Sequence, residues 1–370
     1  MLFCVNPYAA LAQEEIKPFD VEAESAVLMD AKTGKVLYAK SPDKALPPAS
    51  VTKVMTLLLV MEHIDSGKMK MTDKITVSEY AASMGGSQVF LEPGEEIVVE
   101  DLLKSVVISS ANDGAVAFAE AVAGSEEAFV KRMNERAGEL GMKSTSFENA
   151  TGLDDDTKNH TMSAYDIALA SRELILNHPD ILKYSSIWMD SIRNGEFGLS
   201  NTNRLIRFYK GATGLKTGST AKAGFCISAT AERDGMHLIA VIMGSKTRDE
   251  RNNAAKKLLD HGFANYAVYT HSEEKGKKLK IQKGCEDKVS TVIGKFEALL
   301  SKDEIESVEI KKKYSKNLCA PVKKGDKVGE AVFFVNDKEI GRADITAACD
   351  VARLGYGDIL NRIIKRWFLK

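Results

Sequence analysis

Three short motifs in this chain supply side chains suited to acyl transfer through a serine ester. They stand in the order Ser50-Val51-Thr52-Lys53, Ser110-Ala111-Asn112 and Lys216-Thr217-Gly218. A serine nucleophile, a lysine amine as general base and a second cation can carry out this chemistry without a histidine or a metal ion. The pattern therefore indicates an acyl-transferring serine enzyme that needs neither a cofactor nor a metal.

The surroundings of Ser50 favour a catalytic role. The proline-rich segment Pro47-Pro48-Ala49 leads into it, and residues 54–61 are nearly all apolar. A helix that is apolar all round is a buried helix, and its N-terminus brings positive backbone dipole to the nucleophile. Lys53 lies one turn further on, on the same helix face. Burial lowers the pKa of a lysine, so Lys53 is predicted to act as a neutral amine base.

The other two motifs carry groups that can hold a substrate. Ser110 and Asn112 lie between two helical stretches, where the hydroxyl can relay a proton and the amide can donate to a substrate carbonyl. Lys216 precedes an apolar strand that begins at Gly224. A substrate peptide can add to an exposed strand edge as an extra strand, and Lys216 is then placed to bind its carboxylate.

Each motif also occurs by chance elsewhere in the chain, so spacing alone does not identify the site. The decoys are Ser41/Lys44, Ser219/Lys222, Ser272/Lys275, Lys32-Thr33-Gly34 and Ser315-Lys316-Asn317. The alternatives are structural: Ser50 as a helix N-cap with Lys53 reaching solvent, Ser110 in a turn, and Lys216 as a solvated edge lysine. The order of the motifs and their helix, loop and strand contexts favour catalysis.

The remaining pattern predicts the elements that must position these groups. Two strands flank a turn at 30–34, and two more flank Asp234-Gly235. Apolar spacing predicts helices at 100–121, 125–140, 165–177 and 248–266. Two strands before the helices and three after them indicate one sheet built from both ends of the segment and flanked by helices, an α/β arrangement.

Bulk composition bounds the function classes. The chain has 370 residues and a net charge of −1, which gives no whole-chain reason to expect nucleic acid. It contains no run of 18 apolar residues, the length that predicts a spanning helix. Five scattered cysteines indicate no disulfide framework, and Cys226 lies in an apolar run as a small core residue.

Both ends of the chain differ from the middle. Residues 1–12 are apolar and end in Ala10-Leu11-Ala12, which predicts a signal-peptide remnant; a plain apolar tail is the alternative. Composition changes around 271–284, and short alternating segments predict a small β-rich domain over 279–350. Residues 355–370 form a basic amphipathic pattern with a terminal Trp, which favours a membrane surface over a domain-capping helix.

These residues resemble the low-molecular-mass penicillin-binding proteins, the serine-type D-Ala-D-Ala carboxypeptidases. The likeness covers roughly 20–272 and includes Asp30-Ala-Lys-Thr-Gly-Lys-Val-Leu, Asn149-Ala-Thr-Gly-Leu and Gly214-Leu-Lys-Thr-Gly-Ser as well as the three motifs. It implies a transpeptidase-like (β-lactamase-like) catalytic domain with a five-stranded antiparallel sheet and a helical subdomain. It also implies a β-rich C-terminal domain and an amphipathic anchor at the outer face of the cytoplasmic membrane.

The resemblance further implies a role for each site residue. Ser50 attacks the bond between the last two D-alanines of a peptidoglycan stem pentapeptide, and Lys53 takes its proton. Backbone N–H groups of Ser50 and Ser219 form the oxyanion hole. The remaining groups protonate the departing D-alanine, hold its carboxylate or position the acyl group: Ser110, Asn112, Lys216, Thr217 and Gly218. β-Lactams are expected to trap Ser50.

Three rival classes remain at this stage. A β-lactamase of the same fold would place a deacylating glutamate in a Glu-x-x-Leu-Asn motif, and Glu173 to Asn177 reads Glu-Leu-Ile-Leu-Asn. That segment ends a predicted helix, which favours coincidence. The other rivals are a non-catalytic wall-binding or sensor protein and a zinc carboxypeptidase using His271 and Glu274, although no His-Glu-x-x-His is present. His160 is predicted to be structural or solvated.

Overall fold

The computed structural model describes residues 19–155 and 157–368. The predicted signal remnant at 1–12 lies outside the described residues. The first part of the chain contains β1 Ser25–Asp30, β2 Val36–Lys40, α1 Lys53–Asp65, β3 Lys74–Thr76, α2 Glu79–Ala82, β4 Glu96–Val98, α3 Val99–Ile108, α4 Asn112–Ala123, α5 Glu126–Glu139, α6 Ala164–Asn177, α7 Ile181–Ser185, β5 Met189–Ile192, β6 Phe197–Ser200, α8 Leu205–Phe208, β7 Ala212–Thr220, β8 Gly224–Arg233, β9 Met236–Ser245 and α9 Arg248–Asn265.

One five-stranded sheet organises this part of the chain, in the order β2-β1-β9-β8-β7 with every pair antiparallel. The prediction of one sheet from two early and three late strands is confirmed. Strand β1 is buried on both faces: Ala26 and Leu28 pack with the α9 cluster, whereas Val27 and Met29 pack with α1 and α6. Alternate residues of a strand point to opposite faces, so helices cover both sides.

Helix α1 runs through the centre of the helical side. Nine of its 13 residues are buried, from Lys53 to Met61, as its uniformly apolar sequence predicts. The predicted helix at 100–121 is two helices, α3 and α4, interrupted at residues 109–111. The loop that was predicted around Ser110 is therefore present.

The second part is rich in short strands. Its elements are β10 Tyr266–His271, β11 Glu274–Lys275, β12 Leu279–Gln282, β13 Lys288–Val289, β14 Thr291–Ile293, β15 Phe296–Ser301, α10 Lys302–Ile305, β16 Val308–Tyr314, β17 Leu318–Cys319, β18 Lys327–Val335, β19 Lys338–Ala347 and α11 Tyr356–Phe368. A five-stranded sheet has the order β11-β14-β19-β18-β16. The β-rich character predicted for this part of the chain is confirmed; segments of two or three residues carry too little pattern to be predicted one by one.

Strand β10 lies at the junction between the two parts. The sequence predicts a catalytic domain over roughly 20–272 and a β-rich domain over 279–350. Strand β10 pairs along its whole length with β15, from Tyr266 opposite Ser301 to His271 opposite Phe296. This strand therefore belongs by its pairing to the second domain, and Lys32 forms an ion pair with Glu297 across the junction.

Helix α11 ends the described chain. It leaves Tyr356, Leu360 and Trp367 exposed to solvent, Trp367 by 83% of its surface. No helix among residues 19–155 and 157–368 combines the length and apolarity needed to cross a bilayer.

Candidate active site

A short 3-10 turn, Ala49–Thr52, brings Ser50 and Lys53 together just before α1. In a 3-10 turn the side chains at positions i and i+3 are eclipsed rather than staggered. The Nζ atom of Lys53 consequently lies 3.1 Å from Oγ of Ser50. The three-residue separation of Ser50 and Lys53 thus places their side chains together on one side of this turn.

Lys53 is fully buried, with 0% of its surface exposed. Its Nζ atom lies 2.6 Å from Oδ1 of Asn112 and 2.8 Å from the carbonyl oxygen of Thr151. Burial, with the nearby charge of Lys216, holds the pKa of Lys53 well below its ordinary value. The alternative in which Lys53 reaches solvent is wrong.

The geometry around Nζ suits a neutral amine. A neutral amine has two N–H donors and one lone pair, and the oxygens of Asn112 and Thr151 can only accept. The two donors therefore go to these two oxygens, which leaves the lone pair directed at the Ser50 hydroxyl. In this state Lys53 is oriented to receive the proton of Ser50.

Asn112 makes two contacts within the protein that the sequence did not predict. It was expected to offer its amide to a substrate carbonyl, yet Nδ2 donates to the Gly85 carbonyl at 2.7 Å and Oδ1 accepts from Lys53. The side chain is buried. Because the Gly85 contact determines which end of the amide is the oxygen, Asn112 orients Lys53 in addition to any substrate contact.

Ser110 lies at the break between α3 and α4 with a backbone φ of 66°. Its side chain does not cap α4, whose N-cap is Ala111 without a side-chain bond. Ser110 lines the same cleft as Ser50 and Thr217. The break between the helices therefore directs the second motif towards the nucleophile rather than serving helix capping.

The third motif lies on β7, the edge strand of the sheet, which pairs with β8 and with no other strand among the described residues. Thr217 donates to the Thr202 hydroxyl at 2.8 Å, and Ser219 is exposed. Gly218 lets the strand approach the nucleophile turn, since a Cβ atom there would lie 2.8 Å from the Ser50 nitrogen. The strand edge and the Ser50 backbone thus form one wall of the cleft.

Lys216 is buried, with only 1% of its surface exposed, so its reading as a solvated edge lysine is wrong. Its Nζ atom donates to the Thr217 carbonyl at 3.0 Å. Burial, with the charge of Arg251, lowers the pKa of Lys216 to about 7. This lysine therefore changes charge near neutral pH.

The three motifs meet at a cleft of about 630 Å³ whose lining includes residues that sequence reasoning missed. Arg248 and Arg251 lie in the first turns of α9, and Arg204 lies just before α8. Arg251 is buried, and burial lowers its pKa to about 10, so it stays charged at neutral pH. Arginines at a helix start, where acidic residues are favoured, are the signal that could have revealed this cationic end.

A second missed element is the loop that supplies the Thr151 carbonyl. Asn149 accepts through Oδ1 from the backbone N–H groups of Thr151 and Gly152, at 3.1 and 2.7 Å. Gly152 has a φ of 84°, and a Cβ atom there would lie 1.8 Å from the Ala49 carbonyl oxygen. The Asn149-Ala-Thr-Gly segment therefore packs directly on the nucleophile turn.

His160 is structural, in line with its prediction. Its Nδ1 atom accepts from the Glu148 N–H at 3.0 Å, which leaves the proton on Nε2, 2.8 Å from the Thr52 hydroxyl. Burial lowers the pKa of His160 to about 4. The neutral ring thus donates to the hydroxyl of Thr52, which belongs to the nucleophile turn.

The features behind two rival classes lie elsewhere. Glu173, the candidate deacylating residue of a β-lactamase, lies in α6 and pairs with Arg136 at 2.6 Å; it does not line the cleft. His271 packs against Phe333, with ring centroids 5.2 Å apart. Within the described ranges no group of three His, Cys, Asp or Glu side chains could hold a metal ion.

Cys226 is a buried core residue, and burial raises its thiol pKa to about 11.

Comparison with known proteins agrees with this geometry. A family model described as D-alanyl-D-alanine carboxypeptidase (peptidase S11) matches residues 11–247, and one described as penicillin-binding protein 5, C-terminal domain, matches residues 263–353. The carboxypeptidase DacF of Bacillus subtilis is 41% identical over 99% of this chain and 96% of its own length. DacC of Escherichia coli is 33% identical over 99% and 94%.

Solved structures are similar in both domains. Penicillin-binding protein 5 of Haemophilus influenzae superimposes with a TM-score of 0.74 at 31% identity, covering 91% of this chain and 100% of that one. Penicillin-binding protein D2 of Listeria monocytogenes, in its ampicillin-bound form, has a TM-score of 0.58 at 33% identity and covers 66% of this chain and 98% of its own. The fold class predicted from the sequence is confirmed.

The contact between Gly152 and Ala49 is testable by Gly152→Ala, with Gly141→Ala as a matched control. Both glycines have positive φ, but nothing lies within 4 Å of a Cβ atom at Gly141. The control is expected to lose about 1–2 kcal/mol of unfolding free energy from backbone strain. Gly152→Ala is expected to lose about 1–3 kcal/mol more from overpacking and to slow acylation by a β-lactam at least tenfold, because Ser50 moves away from Lys53. Equal losses of stability and equal acylation rates in the two variants would contradict this role.

Proposed function

Because the chain belongs to the peptidase S11 family of D-alanyl-D-alanine carboxypeptidases, we propose that it removes the terminal D-alanine from peptidoglycan stem pentapeptides through an acyl-enzyme at Ser50. The observation that carries the assignment of the nucleophile is the environment of Lys53. Two carbonyl oxygens accept from its Nζ atom, which lies 3.1 Å from Oγ of Ser50. A neutral amine held in this way turns its lone pair towards that hydroxyl.

Acylation follows from this arrangement. The Ser50 Oγ atom bonds to the carbonyl carbon of the penultimate D-alanine while its proton passes to Lys53. The charge that develops on the carbonyl oxygen is stabilised by the backbone N–H groups of Ser50 and Ser219. When the C–N bond breaks, the departing amine takes a proton from Lys53 through the Ser110 hydroxyl. Water then hydrolyses the ester and regenerates Ser50.

The cationic end of the cleft is suited to the terminal carboxylate. Arg251 is buried in the lining of the cleft, and the buried Lys216 directly precedes the lining residue Thr217. A charged hydrogen bond gains strength where water is excluded. Thr217 adds a hydroxyl beside them. A carboxypeptidase must recognise a free C-terminus, and these groups supply that recognition next to the nucleophile.

β-Lactam binding is proposed at the same site. A β-lactam presents a strained amide carbonyl and a carboxylate, the same pair of groups as the D-Ala-D-Ala end. The ampicillin-bound relative from Listeria supports this proposal by similarity. Slow decay of the acyl-enzyme is expected. Glu173, the candidate deacylating residue of a β-lactamase, lies in α6 and is paired with Arg136.

We further propose that the enzyme works at the outer face of the cytoplasmic membrane. The apolar side chains exposed on α11 include Leu360, Ile363 and Trp367. A helix with such a face and basic residues in its sequence suits the boundary between headgroups and acyl chains. Residues 1–12 act as the remnant of an export signal in this proposal.

The nucleophile assignment is tested by Ser50→Ala. Incubation with penicillin is expected to add one covalent adduct to the wild-type chain and none to the variant, as read by intact-protein mass spectrometry. D-Alanine release from a pentapeptide should fall to background in parallel. Ser41→Ala is the control, because Ser41 belongs to a second Ser-x-x-Lys motif. Labelling that survives in Ser50→Ala would overturn the assignment.

The charge of Lys216 predicts an alkaline limb in the pH profile. The ammonium holds the substrate carboxylate below its pKa of about 7 and loses that charge as the pH rises. The kcat/KM for pentapeptide, which reports groups of the free enzyme, is therefore expected to fall above about pH 7. In Lys216→Arg the guanidinium stays charged, so the limb should move to higher pH even if the maximal rate is lower. An unmoved limb would assign it to another group.

The membrane proposal is tested by deleting residues 355–370. The truncated chain is expected to leave the pellet in vesicle sedimentation while it retains penicillin labelling. Retention on vesicles without the helix would instead make α11 a domain cap.

A further inference from the structure

Three lysines converge on a small cavity in the second domain. Lys280, Lys288 and Lys316 line a cavity of about 320 Å³, together with Asp287 and three other residues: Ile281, Gln282 and Leu318. All three lysine side chains are exposed. Leu279 and Ile281, which alternate with Lys280 on β12, are buried in the core of the domain, so the strand turns its basic face to solvent.

The arrangement places like charges together instead of neutralising them. Lys280 and Lys288 are direct partners in the β12–β13 ladder, and like charges opposite each other across strands are destabilising. Among the described residues the ion pairs involve other lysines, and Asp287 is the one carboxylate in a lining that holds three lysines. A bound anion would offset the repulsion that remains between the lysines.

The cavity lies beside the base of the terminal helix. Lys283, one residue beyond Gln282, accepts through its carbonyl from the Leu354 N–H at 2.9 Å. Gly284 forms a bridge with Arg353, and α11 begins three residues after Arg353, at Tyr356. The strand that carries Lys280 therefore leads directly into the segment from which the helix departs.

The lysine cavity lies at the end of the second domain that faces away from its junction with the catalytic domain. The turn between β18 and β19 lies near that junction, because Asn336 and Lys338 line a cavity with Thr33 and Lys35 of the first domain. The opposite ends of these strands lie next to Ser315, whose N–H donates to the Val328 carbonyl at 2.9 Å. Ten residues of β19 separate the two ends, about 30 Å at the rise of a strand.

Charge is also distributed unevenly along the chain. Residues 272–370 contain 22 Lys and Arg against 16 Asp and Glu, although the whole chain has a net charge of −1. Basic segments next to an amphipathic helix are attracted to anionic lipid surfaces. The basic excess thus lies in the part of the chain that carries α11.

We propose that Lys280, Lys288 and Lys316 form a binding site for the phosphate of an anionic lipid headgroup, beside α11. The inference rests on the proposed membrane association and deepens it. The helix inserts its apolar face, and the lysine cavity engages the headgroup layer next to it. These two neighbouring contacts hold the second domain end-on to the membrane, so that its junction with the catalytic domain lies at the far end.

The test measures binding of the full chain to vesicles, with phosphatidylcholine alone and with an equal mixture of phosphatidylcholine and phosphatidylglycerol. The variant is Lys280→Gln, Lys288→Gln and Lys316→Gln combined. The matched control combines Lys295→Gln, Lys311→Gln and Lys338→Gln, which removes the same charge from exposed positions of the same domain. Penicillin labelling checks that each protein is folded.

The cavity variant is expected to bind the anionic vesicles about tenfold more weakly or worse, since each lysine near such a surface contributes appreciably. It should bind neutral vesicles like the wild type, and the control should stay within about twofold on both. Wild-type affinity of the cavity variant for anionic vesicles would overturn the proposal. An equal loss in the control would also overturn it, because net charge alone would then explain binding.

Failure of this proposal and failure of the helix proposal give different results. Suppose that the chain lacking residues 355–370 fails to bind neutral vesicles while the cavity variant binds both kinds of vesicle like the wild type. In that case the helix anchors the protein and the proposal of a lysine site is wrong. If the truncated chain binds neutral vesicles like the wild type, the helix proposal fails. Displacement of the wild type from anionic vesicles by glycerol phosphate at low concentration would indicate a site for free phosphate and overturn the lipid assignment.

Discussion

The burial of one ammonium group is the constraint on which the active site depends. Lys53 is enclosed at the start of α1, where solvent cannot stabilise its charge. A buried charge without compensation is costly, so the amine is stabilised in its neutral form. The carbonyl oxygens of Asn112 and Thr151 then accept hydrogen bonds from its two N–H groups, and the remaining lone pair faces Ser50. Removal of either acceptor would free the amine to turn away from the nucleophile.

Close backbone approach maintains this environment. Gly152 lies against the Ala49 carbonyl on one side of the nucleophile turn, and Gly218 lies against the Ser50 nitrogen on the other. Neither position has space for a side chain. The turn is therefore held between a loop that follows α5 and the edge strand of the sheet, two segments far apart in the chain. The rigid core formed by α1, α6 and the sheet fixes both.

The second domain has two distinct ends. Pairing of β10 with β15 and the ion pair of Lys32 with Glu297 join it to the catalytic domain at one end. The basic cavity and the base of α11 lie at the other end. Under the proposed membrane association, this separation of the two ends would keep the cleft away from the bilayer.

Sequence alone determined the elements whose information is local. The apolar run of α1, the strands around Asp234-Gly235 and the loop at Ser110 follow from periodicity and turn chemistry, because each depends on residues a few positions apart. The order of the three motifs, together with their helix, loop and strand contexts, likewise predicts Ser50 as the nucleophile. Only the tertiary structure decided which groups Asn112 contacts, that Thr151 supplies a carbonyl oxygen to Lys53, and that Arg251 lines the cleft. Asn112 and Thr151 lie 59 and 98 residues from Lys53 along the chain. A local sequence pattern carries no information about contacts over such separations. Burial, which determines the pKa of Lys53 and Lys216, is likewise a property of the packed core.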